Sequence, residues 1–328
     1  MTNAELYPLL FRPVYKDYIW GGRKIVRRYQ RRNTPEICAE SWEIADRPEG
    51  MSMVVNGPLA GQDLFGLMKS YGEKLTGRPS REFPLLVKII DAREKLSVQV
   101  HPDEAGAQQT GGDPKTEMWY VLEADPQAVV YAGFKPGVTS DSFKEALKQG
   151  RAAELLQSVP VEKGDVIFIP GGRIHAIGEG CLMLEVMQNS DTTFRLYDWN
   201  RVGRDGKPRA LQMSKAFKVI RWDDTACAKI TSASRPLQCD EKGNGAVELL
   251  KTPFFRFEKV TAANSLACAA SGNTFHILFI EDGNIELAAG SVKMNLEAGQ
   301  SVLVPAALPE YSLTPRNKPA SILRISLP

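Results

Sequence analysis

Short apolar runs punctuated by Gly, Pro and Asp recur along most of this chain, and that pattern restricts it to strand-built architectures. Residues 84–91 (PLLVKIID), 95–101 (KLSVQVH), 118–124 (MWYVLEA), 128–134 (AVVYAGF), 165–171 (DVIFIPG) and 181–188 (CLMLEVMQ) read as strands of a barrel or sandwich. Two stretches carry helical spacing instead. Residues 140–158 (SDSFKEALKQGRAAELLQS) set Phe143, Leu147, Leu155 and Leu156 among charges, with Ser140 or Asp141 as the expected N-cap. Residues 214–222 (SKAFKVIRW) predict a shorter helix that closes the first domain. The polar stretch 231–246 reads as a linker or long surface loop, after which strands resume. The expectation is a mainly β chain with a few short helices, divided into domains 1–228 and 229–328.

The second half echoes the first. Glu162-Lys-Gly-Asp-Val-Ile-Phe-Ile-Pro170 has a counterpart in Glu297-Ala-Gly-Gln-Ser-Val-Leu-Val-Pro305, and 116–125 (TEMWYVLEAD) resembles 274–283 (TFHILFIEDG). Such self-similarity predicts two related β-barrels in tandem. In this alignment Phe275 stands at Glu117, and Glu310 stands at His175.

The bulk numbers exclude several classes of function. A chain of 328 residues can bury two cores. With 41 Lys and Arg against 39 Asp and Glu, it carries no global field for nucleic acid or membrane. The first residues lack the basic start and apolar core of a signal peptide, and no apolar run reaches the roughly 18 residues of a membrane span. Five scattered cysteines without CxxC spacing read as free thiols of a reducing compartment. A cytoplasmic protein with a small-molecule partner is expected, and no signal specifies an oligomeric state. Arg23, Lys24, Arg27, Arg28, Arg31 and Arg32 recur at helical spacing and read as a solvated helix face without a role.

Chemistry concentrates around two of the three histidines. In Ser97-Val-Gln-Val-His101-Pro102, Gln99 and His101 sit two apart, so a strand points both to one face. In Gly164-Asp-Val-Ile-Phe-Ile-Pro170-Gly171-Gly172-Arg-Ile-His175, a strand runs into a tight turn that presents His175. Between them, Glu117 opens an apolar strand where a buried carboxylate needs a partner. Gln99, His101, Glu117 and His175 make a nitrogen and oxygen donor set of the kind Zn²⁺ accepts, one ion per chain. His276 stands alone and reads as an ordinary strand residue.

These pieces resemble the two-part cupin pattern, in which an HxH-like pair, a Glu and a later PxGxxH build one site. The fold this implies is a pair of cupin-type jelly-roll barrels: a metal-binding catalytic domain, and a C-terminal copy that lacks the donor set and is structural or covers the first site. More closely, the chain resembles type I phosphomannose isomerases in their short bacterial form. The resemblance is carried by Trp20-Gly-Gly, Glu40-Ser-Trp-Glu-Ile44, Lys88-Ile-Ile-Asp-Ala92, 96–104 (LSVQVHPDE), 115–122 (KTEMWYVL), 164–178 (GDVIFIPGGRIHAIG) and 184–201 (LEVMQNSDTTFRLYDWNR). It implies zinc ligation by Gln99, His101, Glu117 and His175 and a catalytic arginine at Arg195. Lys115, Glu185 and Asp191 match positions of proton transfer or substrate contact. Lys88, Ser97, Arg201 and Trp20 match the substrate- and phosphate-binding side. One departure is Ala176-Ile177, where longer members carry Ala-Tyr. The large helical insertion of those members is also missing.

The implied reaction moves a proton between C1 and C2 of a sugar phosphate through an enediol, converting mannose 6-phosphate to fructose 6-phosphate. It needs a base, an electrophile at the carbonyl oxygen and a phosphate anchor. Asp191, Glu185 and Lys115 are all candidates for the base. Two other readings share the motifs: a cupin oxygenase using Fe²⁺ and O₂, which would ordinarily present more imidazole, and a non-catalytic sugar-phosphate sensor.

Overall fold

The computed structural model describes residues 4–230, 235–270, 272–308 and 310–328. Antiparallel sheets dominate, and among the described residues no helix is long and apolar enough to cross a membrane. The chain divides into two compact units: one comprises Tyr15–Ser41 and Leu85–Ile230, the other Met1–Val14, Trp42–Pro84 and Thr231–Pro328. A single cut near residue 228 therefore misses two N-terminal segments that belong with the C-terminal strands. Leu9–Arg12 pairs with Ser301–Val304 and with Met53–Val54, a long-range pairing that local patterning does not encode. Of the expected linker, 231–234 lies outside the described residues, and Arg235–Cys239 is a strand paired with Gly245–Lys251.

The first unit contains the predicted strands. One sheet runs in the order Val166–Ile169, Glu117–Ala124, Cys181–Gln188, Leu85–Ala92, then the strand that opens at Glu40. A second runs Phe194–Tyr197, Val98–Val100, His175–Ile177, Val129–Phe134, Leu156–Pro160. Trp119, Val121, Ile167, Ile169, Met183 and Ile90 fill the space they enclose. Leu85–Ala92 and nearly all of Cys181–Gln188 are buried, which explains their unbroken apolar runs. Lys88 and Glu185 interrupt those runs and face each other across the ladder.

The helices differ from expectation in detail. The first ends at Lys148 and is capped by Thr139, not Ser140 or Asp141, in a reciprocal arrangement with Ser142. Gly150, at φ +69°, ends the run, and Leu156–Pro160 is a strand. The basic segment forms a helix only over Lys24–Tyr29, and its cations are not all solvated: Lys24 pairs with Asp125 at 2.6 Å and Arg28 with Glu123 at 3.1 Å.

The second unit repeats the arrangement with Arg256–Ala262, Ala320–Ser326, His276–Asp282 and Ser301–Val304 in sequence across one sheet. Leu278, Ile280, Val260, Ile322 and Val302 fill its interior. Ladder registers correct the repeat alignment. Ile169 faces Glu117 as Val304 faces His276, and Gln99 faces His175 as Cys268 faces Tyr311. His276 thus stands at the Glu117 position, and Tyr311, which meets His276 at 2.8 Å as His175 meets Glu117, stands at the His175 position, one place on from Phe275 and Glu310. A one-residue slip sends a side chain to the opposite face of the sheet. Phe275 packs on Phe83, and Glu310 is exposed.

Candidate active site

In the first unit, the elements that the sequence separates converge on one point. Gln99 and His101 stand at the end of Val98–Val100, His175 is directly opposite Gln99, and Glu117 begins the neighbouring sheet's strand. The Pro170-Gly-Gly turn makes this possible. A Cβ on Gly171 would lie 2.7 Å from the Asp103 backbone, and Gly172 adopts φ +89°. The Gly172 N–H donates to the His101 carbonyl, tying the two histidine-bearing segments together.

His101 Nε2 lies 3.3 Å from one Glu117 oxygen and His175 Nε2 3.5 Å from the other. The Gln99 amide is 3.3 Å from His175 Nε2. Each ring engages a backbone carbonyl through Nδ1: Thr192 for His101 at 2.7 Å, Arg173 for His175 at 2.9 Å. The protons therefore sit on Nδ1, and both Nε2 lone pairs face the centre. His101 Nε2 and both Glu117 oxygens are buried without hydrogen bonds, one of those oxygens being ion-paired with Lys115 at 3.0 Å. Three donors with unsatisfied lone pairs in one buried spot fit a divalent cation, and His101, Glu117 and His175 form such a cluster.

Protonation states agree with ligation. Burial, and then the neighbouring His101, pushes His175 down to about 3; burial, and then Lys115, lowers His101. Burial works to raise Glu117, but Lys115 at 3.0 Å and the histidines hold it well below the usual carboxylate range. Two neutral imidazoles and an ionised carboxylate are the forms a metal binds.

Beside this centre opens a pocket of about 270 Å³, lined by Trp20, Lys88, Ser97, Gln99, Lys115, Glu185, Asp191 and Arg195. Arg201 does not line it. That guanidinium pairs with Asp198 at 2.7 Å and with Glu94 at 3.6 Å. Arg209 stands in the pocket instead, held by the same Asp198 at 2.6 and 2.7 Å. Arg195 donates from Nε to Ser97 Oγ at 3.2 Å and from Nη1 to the Ala210 carbonyl at 3.0 Å.

Lys88 reaches the pocket within a cluster of carboxylates. Its ammonium lies 2.8 Å from Glu185 and 3.4 Å from Glu40, all three side chains being buried. Burial works to lower Lys88, but Glu185 and Glu40 raise it well above its ordinary value. Glu185 is raised by burial and then by Glu117, and it accepts from Trp119 Nε1 at 2.8 Å. Glu40, Tyr18, Arg209 and Gln212 line the pocket without having been singled out. Glu40 had a sequence signal in Glu40-Ser-Trp-Glu-Ile44, whereas Arg209 lies in an irregular segment without one.

A strand-built barrel with a buried His-Glu-His cluster beside a charged pocket defines an enzyme of the cupin fold. Residues 9–146 match the family phosphomannose isomerase type I, catalytic domain. The chain is 32% identical to mannose-6-phosphate isomerase of Streptococcus mutans, across 93% of this chain and 94% of that one. It is likewise 32% identical to mannose-6-phosphate isomerase ManA of Bacillus subtilis, across 93% and 95%. The crystal structure of the mannose 6-phosphate isomerase from Bacillus subtilis superposes with a TM-score of 0.87 at 28% identity, covering 97% of this chain and 99% of that one. This chain belongs to the type I mannose-6-phosphate isomerase family.

Proposed function

We propose that the protein interconverts mannose 6-phosphate and fructose 6-phosphate with one Zn²⁺ held by Gln99, His101, Glu117 and His175. The observation that carries this is the convergence of orphaned lone pairs beside a pocket rich in guanidinium and ammonium groups. When bound, the ion supplies Lewis-acid polarisation of the sugar oxygens. The remaining work falls to side chains of the pocket.

Glu185 is our choice for the proton carrier between C1 and C2. It lines the pocket, and burial together with Glu117 raises its affinity for a proton toward the working range. Lys88 and Trp119 Nε1 orient its two oxygens. Lys115 is committed to Glu117 and fixes that ligand; exposed Asp191, at the pocket lip, is left to contact the sugar. Arg195 provides a fixed cation where enediolate charge develops. Arg209 and Ser97 receive the phosphate in this reading, and Asp198 holds Arg209 as a positioned fork. Energy from that remote contact orients the reacting carbons.

The charged lining favours a sugar phosphate over the apolar substrate and O₂ of an oxygenase. A coupled assay from mannose 6-phosphate to fructose 6-phosphate, run with chelator and after Zn²⁺ readdition, tests the proposal. Turnover lost and regained supports it. Zinc-loaded protein without turnover leaves the sensor reading in its place, and turnover indifferent to complete metal removal refutes the metal assignment.

A further inference from the structure

The C-terminal barrel retains a cavity where the first barrel has its active site, and a charge pair on its wall is swapped between strands. Ladder registers make the equivalence residue by residue. Lys88 faces Glu185 in the first unit, and Glu258 faces Arg324 at the matching rungs of the second. Glu117 is replaced by His276, Gln99 by Cys268 and His175 by Tyr311. A carboxylate and lone-pair set has become one of hydrogen-bond donors. The resulting cavity has a volume of about 320 Å³.

Three guanidiniums line this cavity, those of Arg78, Arg256 and Arg324, together with the Glu258 carboxylate and Pro328. Glu258 is shared, at 2.5 Å from Arg324 Nε and 3.1 Å from Arg256 Nη2, while Glu248 reaches Arg256 Nε at 2.6 Å from outside the lining. Arg78 also donates to the Pro328 carbonyl. The His276 Nδ1 lies 2.8 Å from the Tyr311 hydroxyl. With that hydroxyl donating to Nδ1, the neutral ring's one N–H is on Nε2. Burial, and then Arg324, pushes His276 down to about 3, so the ring is a neutral donor at physiological pH.

We propose that this cavity is a second ligand site, taking a phosphate-sized oxyanion on Arg256, Arg324 and His276 with Arg78 at its rim. Guanidinium forks suit a tetrahedral oxyanion, and a partly dehydrated cavity strengthens each bond. The site is independent of the isomerase chemistry and needs no metal.

The chain's three histidines make the test site-specific. Imidazole resonances of ¹⁵N-histidine-labelled, zinc-loaded protein are followed by NMR, with His276 assigned through His276→Asn. Inorganic phosphate is titrated against sodium chloride of matched ionic strength. The expected result is a saturable His276 shift with phosphate alone, at a Kd of about 1 mM or tighter. Arg256→Gln and the exposed-rim variant Arg78→Ala should each weaken it by about fivefold or more, with unchanged circular dichroism and melting confirming the fold. A His276 signal unmoved by phosphate overturns the site. So does an equal response to chloride, or wild-type affinity in both variants.

Discussion

Lys88 offers the sharpest test of how the pocket is held together. Its ammonium sits between Glu185 at 2.8 Å and Glu40 at 3.4 Å, with none of the three side chains more than 7% exposed. Lys88→Met keeps the apolar stem and deletes the charge, leaving two buried carboxylates without a cation between them. Breaking a buried ion pair from one side costs about 3–5 kcal/mol, or roughly 6–20 °C in Tm for a chain of this length. In the wild type, the folded pKa of Lys88 is raised, so its contribution is fully present below the unfolded value of about 10.4 and is lost only as pH rises through the folded one. The variant behaves oppositely. Glu185, already raised by burial, is then driven further to bind a proton in the folded state, so stability falls as pH rises from about 5 to 7. The deficit against wild type should therefore shrink on acidification. Urea denaturation of zinc-loaded protein at pH 5, 6 and 7 measures this, with Lys88→Met/Glu40→Gln recovering part of the loss. A deficit under about 1 kcal/mol at pH 7, the range of an exposed ion pair, or one that does not change with pH, would show that the cluster is not a buried charge balance.

Three further outcomes follow from the site. His101→Ala and His175→Ala should each lose metal and turnover together, since each removes a donor aimed at the centre; full zinc occupancy by elemental analysis in both variants would refute the ligand set. Arg195→Ala should lower kcat by roughly a hundredfold or more while zinc content stays intact, because a guanidinium has no lone pair to offer, and Arg195→Lys should recover little; near-normal kcat removes Arg195 from the chemistry. Arg209→Ala should raise KM for mannose 6-phosphate by about tenfold or more with a smaller effect on kcat, whereas Arg201→Ala should barely change either; the reverse ranking would return the phosphate to Arg201.

Much of this protein is local and therefore legible in its residues. Strand runs announce themselves because a strand's pairing faces are written two residues apart, which is why Gln99 and His101 could be assigned to one side before any fold was known. The Pro170-Gly-Gly turn is equally local, since Gly172 adopts φ +89°, a backbone conformation that favours glycine. What the linear order could not supply is distance between elements. Glu117 meets both histidines only because two sheets enclose one interior, and Arg209 displaces Arg201 because of how an irregular segment folds over Asp198. The repeat alignment slipped by one residue for the same reason. Apolar similarity along a strand is nearly unchanged by such a shift, while hydrogen-bonded register decides which face each side chain takes, and register exists only between strands. That is how His276, an isolated histidine in the sequence, came to occupy the position of Glu117.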